Sequence, residues 1–241
     1  MKHRKTKTIL IILVSILLLT TVVGCIYVSD YYRANQTALS MLGSDENVTV
    51  RVTDDQVVFI PDEPTVGFIF YPGGKVEHTA YSPLLRSLAE QGILCILVEM
   101  PFRLAVLDMN AAEGIPNQYP EITDWYIGGH SLGGSMAAGH AEDHSDIYEG
   151  LVLLASYSTA DISELGMDVI SVYGTEDQVL NLEKYEEYYG NLPESTEEIV
   201  IDGGCHAYFG SYGPQKGDGT PSITAEEQTR KTVNLLVEFF R

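Results

Sequence analysis

Positions 8–28 read TILIILVSILLLTTVVGCIYV, twenty-one residues without a charge and without a polar face. A helix rises about 1.5 Å per residue, so this run matches a hydrocarbon core of about 30 Å. A helix buried in a soluble core rarely runs this long without a polar stripe. Residues 29–47 are polar and read as a short helix and connector. Beyond them the pattern changes to short apolar runs alternating with helical spacing. Residues 48–52 and 57–60, separated by Thr53-Asp54-Asp55-Gln56, predict an antiparallel hairpin. Residues 66–71 and 93–98 are nearly continuous apolar strands, and 81–91 between them is a helix ended by Gly92.

The alternation continues to the end of the chain. Strands are predicted over 125–128, 151–155, 169–173 and 197–201. Helices are predicted over 132–142, 181–189 and 225–240. Strands apolar on both faces, interleaved with helices, predict an α/β fold with a mainly parallel sheet covered on both sides. The expected domains are an anchor or signal segment (1–28), a connector (29–47) and one folded domain (48–241).

Charge is distributed unevenly. The chain carries a formal −20, yet Lys2, Arg4, Lys5 and Lys7 all precede the apolar run. Beyond residue 28 there are 10 basic and 34 acidic residues, a balance of −24. Such a body repels phosphate, which excludes nucleic acid as an expected partner. Basic residues on the N-terminal side alone predict that end in the cytoplasm and the acidic body outside it. The first expectation is a single-pass anchor in a cell membrane, held through residues 8–28. The alternative is a lipoprotein anchored through Cys25, because Val22-Val23-Gly24-Cys25 resembles a lipobox without its usual leucine. Cys25, Cys95 and Cys205 are too few and too irregularly spaced for a disulfide framework or a zinc site, so no metal is expected.

The chemistry lies in Gly128-Gly129-His130-Ser131-Leu132-Gly133-Gly134. A Gly-x-Ser-x-Gly pattern between a strand and a helix places the serine on a sharp turn, with neighbours lacking Cβ atoms. Its hydroxyl then stands beside the positive N-terminus of the following helix. A serine nucleophile needs a base, and the base needs an orienting carboxylate. Asp177, in Tyr173-Gly174-Thr175-Glu176-Asp177, and His206, in Gly203-Gly204-Cys205-His206, follow Ser131 in the order acid, then histidine. Each comes directly after a predicted strand, at the sheet edge where α/β proteins build sites. Glu176 is the alternative acid and His78 the rival base. His130 is expected under the turn, and His140 and His144 at the far end of the helix.

These features together resemble the α/β-hydrolase superfamily, and more narrowly a small bacterial branch with an N-terminal membrane segment and no inserted cap. The hairpin, the Gly-His-Ser-Leu-Gly-Gly elbow, Gly-Thr-Glu-Asp and the last-strand histidine carry the resemblance. Phe70-Tyr71-Pro72-Gly73-Gly74, Met100-Pro101-Phe102 and His206-Ala207-Tyr208-Phe209-Gly210 add to it. It implies an oxyanion hole made by the backbone N–H of Leu132 and that of Gly74 or Gly73. Two such donors are worth about 3–4 kcal/mol each in related chemistry. The expected activity is hydrolysis of a carboxylic ester or thioester in a small-molecule acyl substrate, without cofactor. A peptidase or amidase on the same triad, or a non-catalytic binding protein of this fold, are the alternatives. With only one strand–loop–strand passage between Ser131 and Asp177, an open site without a lid is expected. Tyr208, Phe209 and Tyr212, in the loop after His206, are the expected pocket wall. Cys205 is expected to pack as a buried thiol, with a redox-sensitive position in the site as the alternative.

Overall fold

The computed structural model describes residues 2–241, and the chain divides into two compact units, residues 1–31 and 32–241. The basic side chains Lys2, Arg4 and Lys5 lie outside the described residues. The first unit is one helix, α1 (Lys2–Ser29). Its window Ile12–Ser29 has a mean hydropathy of 2.4 and no residue buried within the protein, which suits a membrane span in length and composition.

The second unit is built on an eight-stranded sheet: β1 (Val48–Val52), β2 (Gln56–Pro61), β3 (Val66–Tyr71), β4 (Ile93–Val98), β5 (Asp124–His130), β6 (Gly150–Leu154), β7 (Asp168–Gly174) and β8 (Glu197–Ile201). Their order is β1-β2-β4-β3-β5-β6-β7-β8. Only β2 runs against the rest, pairing antiparallel with β1 and β4. This is the mainly parallel sheet that the apolar runs predict. The period of two along β3 shows why both faces need cover. Phe68 and Phe70 join one core with α3 (Ser82–Ala89) and α6 (Ala225–Phe239). Ile69 and Tyr71 join the opposite core, with α4 (Leu132–Asp143). The α4 face that meets the sheet is Ala137, Ala138 and Ala141, all fully buried, so small side chains let the helix approach closely.

Two boundaries depart from the sequence expectation. β5 runs on from 128 to His130, although glycines at 128 and 129 weaken a strand in isolation. Pairing overrides propensity here, because Gly129 faces Tyr71 on one side and Leu153 on the other. The connector also divides, since residues from Tyr32 onward belong to the second unit. Asn35 caps a short helix, α2 (Gln36–Ser40), by accepting from Ala38 N. Arg86 of α3 donates to the carbonyls of Met41 and Gly43 and pairs with Asp45.

Candidate active site

β5 ends at His130, and the chain turns into α4 through a single residue, Ser131. Its backbone has φ 52° and ψ −122°, a left-handed conformation that costs a non-glycine residue of order 1–3 kcal/mol. Packing enforces it. A Cβ on Gly129 would come within 2.5 Å of the Tyr71 carbonyl oxygen, and one on Gly133 within 2.3 Å of the same atom. Glycines at both positions therefore allow the turn to press against the end of β3. Ser131 N donates to Leu154 O, and the Ser156 hydroxyl donates to Ser131 O, holding the elbow against β6.

Asp177 and His206 come together beside this turn, with the His206 ring centroid 4.4 Å from that of His130. His206 Nδ1 and Asp177 Oδ2 are 2.9 Å apart, with both side chains only 1% exposed. The other carboxylate oxygen, Oδ1, accepts from the N–H groups of Val179 and Leu180. The acid is thus fixed by its own loop while it faces the histidine. The Ser131 hydroxyl makes no hydrogen bond among the described residues, and catalytic hydrogen bonds are often long or poorly aligned before substrate binds. Glu176 is turned toward the Thr175 hydroxyl instead. His78 lies 3.9 Å from Glu99, and burial pulls its pKa down. His140 and His144 stack on each other at the end of α4, away from the elbow.

The family is decided by sequence and fold together. The sequence pattern of the alpha/beta hydrolase family matches residues 67–230, which contain the elbow, Asp177 and His206. The chain belongs to the alpha/beta hydrolase family. No curated sequence matches it closely. Among solved structures, a dienelactone hydrolase from Anabaena variabilis is 12% identical, with a TM-score of 0.59, over 81% of this chain and 100% of that one. Est1E from Butyrivibrio proteoclasticus is 14% identical, with a TM-score of 0.56, over 80% and 98%. An acylaminoacyl peptidase from Pyrococcus horikoshii is 15% identical, with a TM-score of 0.54, over 86% of this chain and 43% of that one. At these identities the likeness is one of fold.

Within this alpha/beta hydrolase fold, the loop after β3 corrects one sequence expectation. Gly73 N donates to the Tyr81 hydroxyl at 3.0 Å, so Gly73 has no N–H to offer an oxyanion. Gly74 remains, packed so that a Cβ there would lie 3.0 Å from Leu132 Cδ2. The Gly74 N–H carries no hydrogen bond among the described residues. Leu132 N–H, in the first turn of α4, has no intrahelical acceptor. The Tyr81 hydroxyl also meets His130 Nδ1 at 2.8 Å, tying the β3 loop to the elbow from below. Burial and the neighbouring His206 hold His130 well below the ordinary histidine range, which favours its neutral form.

The pocket wall is a second correction. Phe209 and Tyr212 are buried in the core, Phe209 against the His130 ring and Tyr212 against Tyr32. Tyr208 is partly buried against the same core. Aromatic rings in a Gly-rich loop read as a pocket wall, but here they fill the space under the histidine loop. The cavity that touches Ser131 has a volume of about 240 Å³ and is lined by Leu132, Ser135, Ala155, Ser156, Tyr157, Val179, Leu180 and Asn181. No charged side chain lines it. A larger cavity of about 600 Å³, beside β2 and β4, contains none of these residues.

Two positioning residues escaped the sequence reading. Asp218 accepts from the N–H groups of His206, Ala207 and Gln178, so one carboxylate joins the histidine loop to the acid loop. Gln228 of α6 clamps the residue before the histidine, accepting from Cys205 N and donating to Cys205 O. The turn sequence Gly217-Asp218-Gly219 was a visible signal for a structured loop. A buried glutamine on an amphipathic helix left no such mark. Cys205 itself is 2% exposed, and burial, with Asp218 nearby, pushes its thiol up to about 12.

Proposed function

We propose that this chain is a serine hydrolase that cleaves carboxylic ester or thioester bonds through an acyl-enzyme, held by α1 at the extracytoplasmic face of a membrane. The observation that carries this reading is the buried Asp177–His206 pair packed against His130, the residue before a serine on a strained strand-to-helix turn. In this reading Ser131 Oγ attacks the carbonyl carbon while His206 Nε2 takes its proton. Asp177 holds the ring so that Nδ1–H points at its carboxylate, and it stabilises the imidazolium that forms. The N–H groups of Leu132 and Gly74 receive the developing oxyanion. His206 then protonates the leaving group, and water repeats the sequence on the acyl-enzyme.

The cavity beside Ser131 supports an uncharged acyl or alcohol group of modest size, since its lining carries no charge and mixes apolar side chains (Leu132, Ala155, Val179, Leu180) with hydroxyl and amide groups. The acidic surface opposes anionic substrates. The test is fluorophosphonate labelling of the full chain in detergent, with p-nitrophenyl esters of increasing acyl length as substrates. Labelling and turnover are expected in the wild type and neither in Ser131→Ala. A folded wild type that neither labels nor hydrolyses would leave the fold as a binding scaffold.

A further inference from the structure

The exposed apolar side chains of the second unit include three in one short stretch. Phe102, Val106 and Leu107 are 60%, 58% and 56% exposed, on two consecutive 3₁₀ turns (Pro101–Arg103 and Ala105–Leu107) that follow β4. The backbone holds them out. Phe102 and Arg103 both adopt left-handed φ values, 53° and 62°, which bulky residues rarely take. Leu104 N donates to Pro101 O and Leu107 N to Leu104 O, so the stretch is a hydrogen-bonded knuckle. Ala105 between them is fully buried and fixes its base.

The position of this knuckle in the second unit is informative. Arg103 O accepts from Lys75 N, and Lys75 O accepts from Tyr32 N. Tyr32 forms a parallel bridge with Val76. Three backbone segments therefore lie side by side: the start of the unit at Tyr32, the Gly74-Lys75 loop beside the elbow, and the apolar knuckle. Two hydrogen bonds of 2.8 and 2.9 Å, both made by Lys75, hold Tyr32 N within about 10 Å of Arg103 O. In sequence, the uncharged run ends at Val28, four residues before Tyr32. Four residues reach at most about 14 Å, whatever the orientation of the two units.

We infer that the knuckle inserts Phe102, Val106 and Leu107 into the surface of the bilayer that holds residues 8–28, so that the mouth of the site draws amphiphilic, membrane-resident esters. The substrate half of this inference rests on the hydrolase reading above, and the docking half rests only on the reading of residues 8–28 as a membrane span. The occupant is the acyl–headgroup boundary of a bilayer, because its depth suits single exposed apolar side chains near a membrane span. With a body charge of −24, attraction to anionic headgroups is not the cause of docking, so the contact should persist at high salt.

The experiment uses the full chain in phosphatidylcholine nanodiscs. Trp125 is the single native tryptophan and is 5% exposed, so Phe102→Trp adds a distinct reporter. Brominated phosphatidylcholine should quench the introduced indole while leaving Trp125 little changed, in low and high salt alike. Emission from the introduced indole that is indifferent to brominated lipid, or quenched only at low salt, overturns the docking. In parallel, Phe102→Ser, Val106→Ser and Leu107→Ser combined should lower hydrolysis of a long-chain ester in the nanodisc about 10-fold. Turnover of soluble p-nitrophenyl acetate should be unchanged. Equal loss on both esters overturns the substrate half. A wild type inactive on every ester removes the hydrolase reading, while the quenching result still decides the docking.

Discussion

The elbow around Ser131 and the loop around His206 reach the same sheet edge by opposite means. Seven contiguous residues, 128–134, make the elbow. Its strain is imposed by backbone contacts with Tyr71 and Pro72, which only glycines at 129 and 133 permit. The His206 loop has no such local logic. It is held by Asp177, 29 residues before it, by Asp218, 12 residues after it, and by Gln228, 23 residues beyond Cys205. Geometry enforced by sterics tolerates nothing, whereas geometry enforced by several hydrogen bonds degrades in steps. The two regions should therefore fail differently when altered.

The sharpest failure is expected at the elbow. Ser131→Ala should lower kcat by at least about 10⁴-fold, as loss of a nucleophile does in related triads. The protein should remain folded, and its thermal midpoint should rise or hold, because alanine removes no contact that fixes the turn. Circular dichroism melts alongside ester turnover check this. Gly133→Ala should fail by another route. A methyl placed 2.3 Å from one carbonyl oxygen and 2.4 Å from another cannot be accommodated by a side-chain rotation, so stability should fall by about 3 kcal/mol or more.

A graded failure is expected at the histidine loop. Asp218→Ala removes an acceptor shared by four N–H groups, three of which lie on the histidine and acid loops. Hydrogen bonds to a charged group are worth about 1.5–3 kcal/mol each, but the exposed edge of this loop lets water replace part of that. Stability should fall by about 2 kcal/mol. Displacing His206 by a fraction of an ångström should lower kcat about 100-fold with KM little changed. Asp218→Asn should recover part of kcat, because the amide oxygen still accepts. Equal kcat for both variants and the wild type would show that Asp177 alone positions the ring.

This contrast also explains what could be read from the sequence. The parallel sheet was visible because β3, β4 and β6 are apolar on both faces, a pattern that few other architectures produce. The elbow was visible because its constraint is local, so glycines mark it at fixed offsets. Asp177 and His206 were visible only as residues following strands in the right order; no property of either string says that they meet. Gly73 and Gly74 were indistinguishable in sequence, because the hydroxyl that occupies the Gly73 N–H belongs to Tyr81, 8 residues further on. Phe209 and Tyr212 misled for a related reason. An aromatic ring in a loop serves a pocket or a core equally well until the chain closes over it.

Tyr81 offers a finer test of the boundary between the two regions, since its hydroxyl touches the β3 loop and His130 together. Tyr81→Phe keeps the ring packed against Phe70 but leaves the Gly73 N–H buried without an acceptor. An unsatisfied buried donor costs about 1–3 kcal/mol, and the β3 loop should shift to relieve it. Because Gly74 is the next residue, kcat should fall about 10-fold with KM nearly constant. Unchanged kcat with lowered stability would assign Tyr81 to packing alone.

The smallest effect is a chemical one, and it reads the clamp directly. Cys205 is buried, and its thiol is pushed up to about 12, chiefly by burial. Alkylation proceeds through the thiolate, so iodoacetamide should leave Cys205 untouched in the native protein at neutral pH, as measured by peptide mapping. The sign of the linked stability follows. Above an ordinary thiol pKa near 9.0 the unfolded chain ionises Cys205 and the folded chain does not, so this group's contribution falls as pH rises from about 9 toward 12. Gln228→Ala removes both hydrogen bonds that hold the Cys205 backbone. If those bonds fix the histidine loop, the variant should alkylate at Cys205 faster than the wild type and lose kcat in the same measure. Faster alkylation with full activity would mean that the loop can open around Cys205 while Asp177 and Asp218 still hold His206, which would move the whole positioning burden onto the two carboxylates.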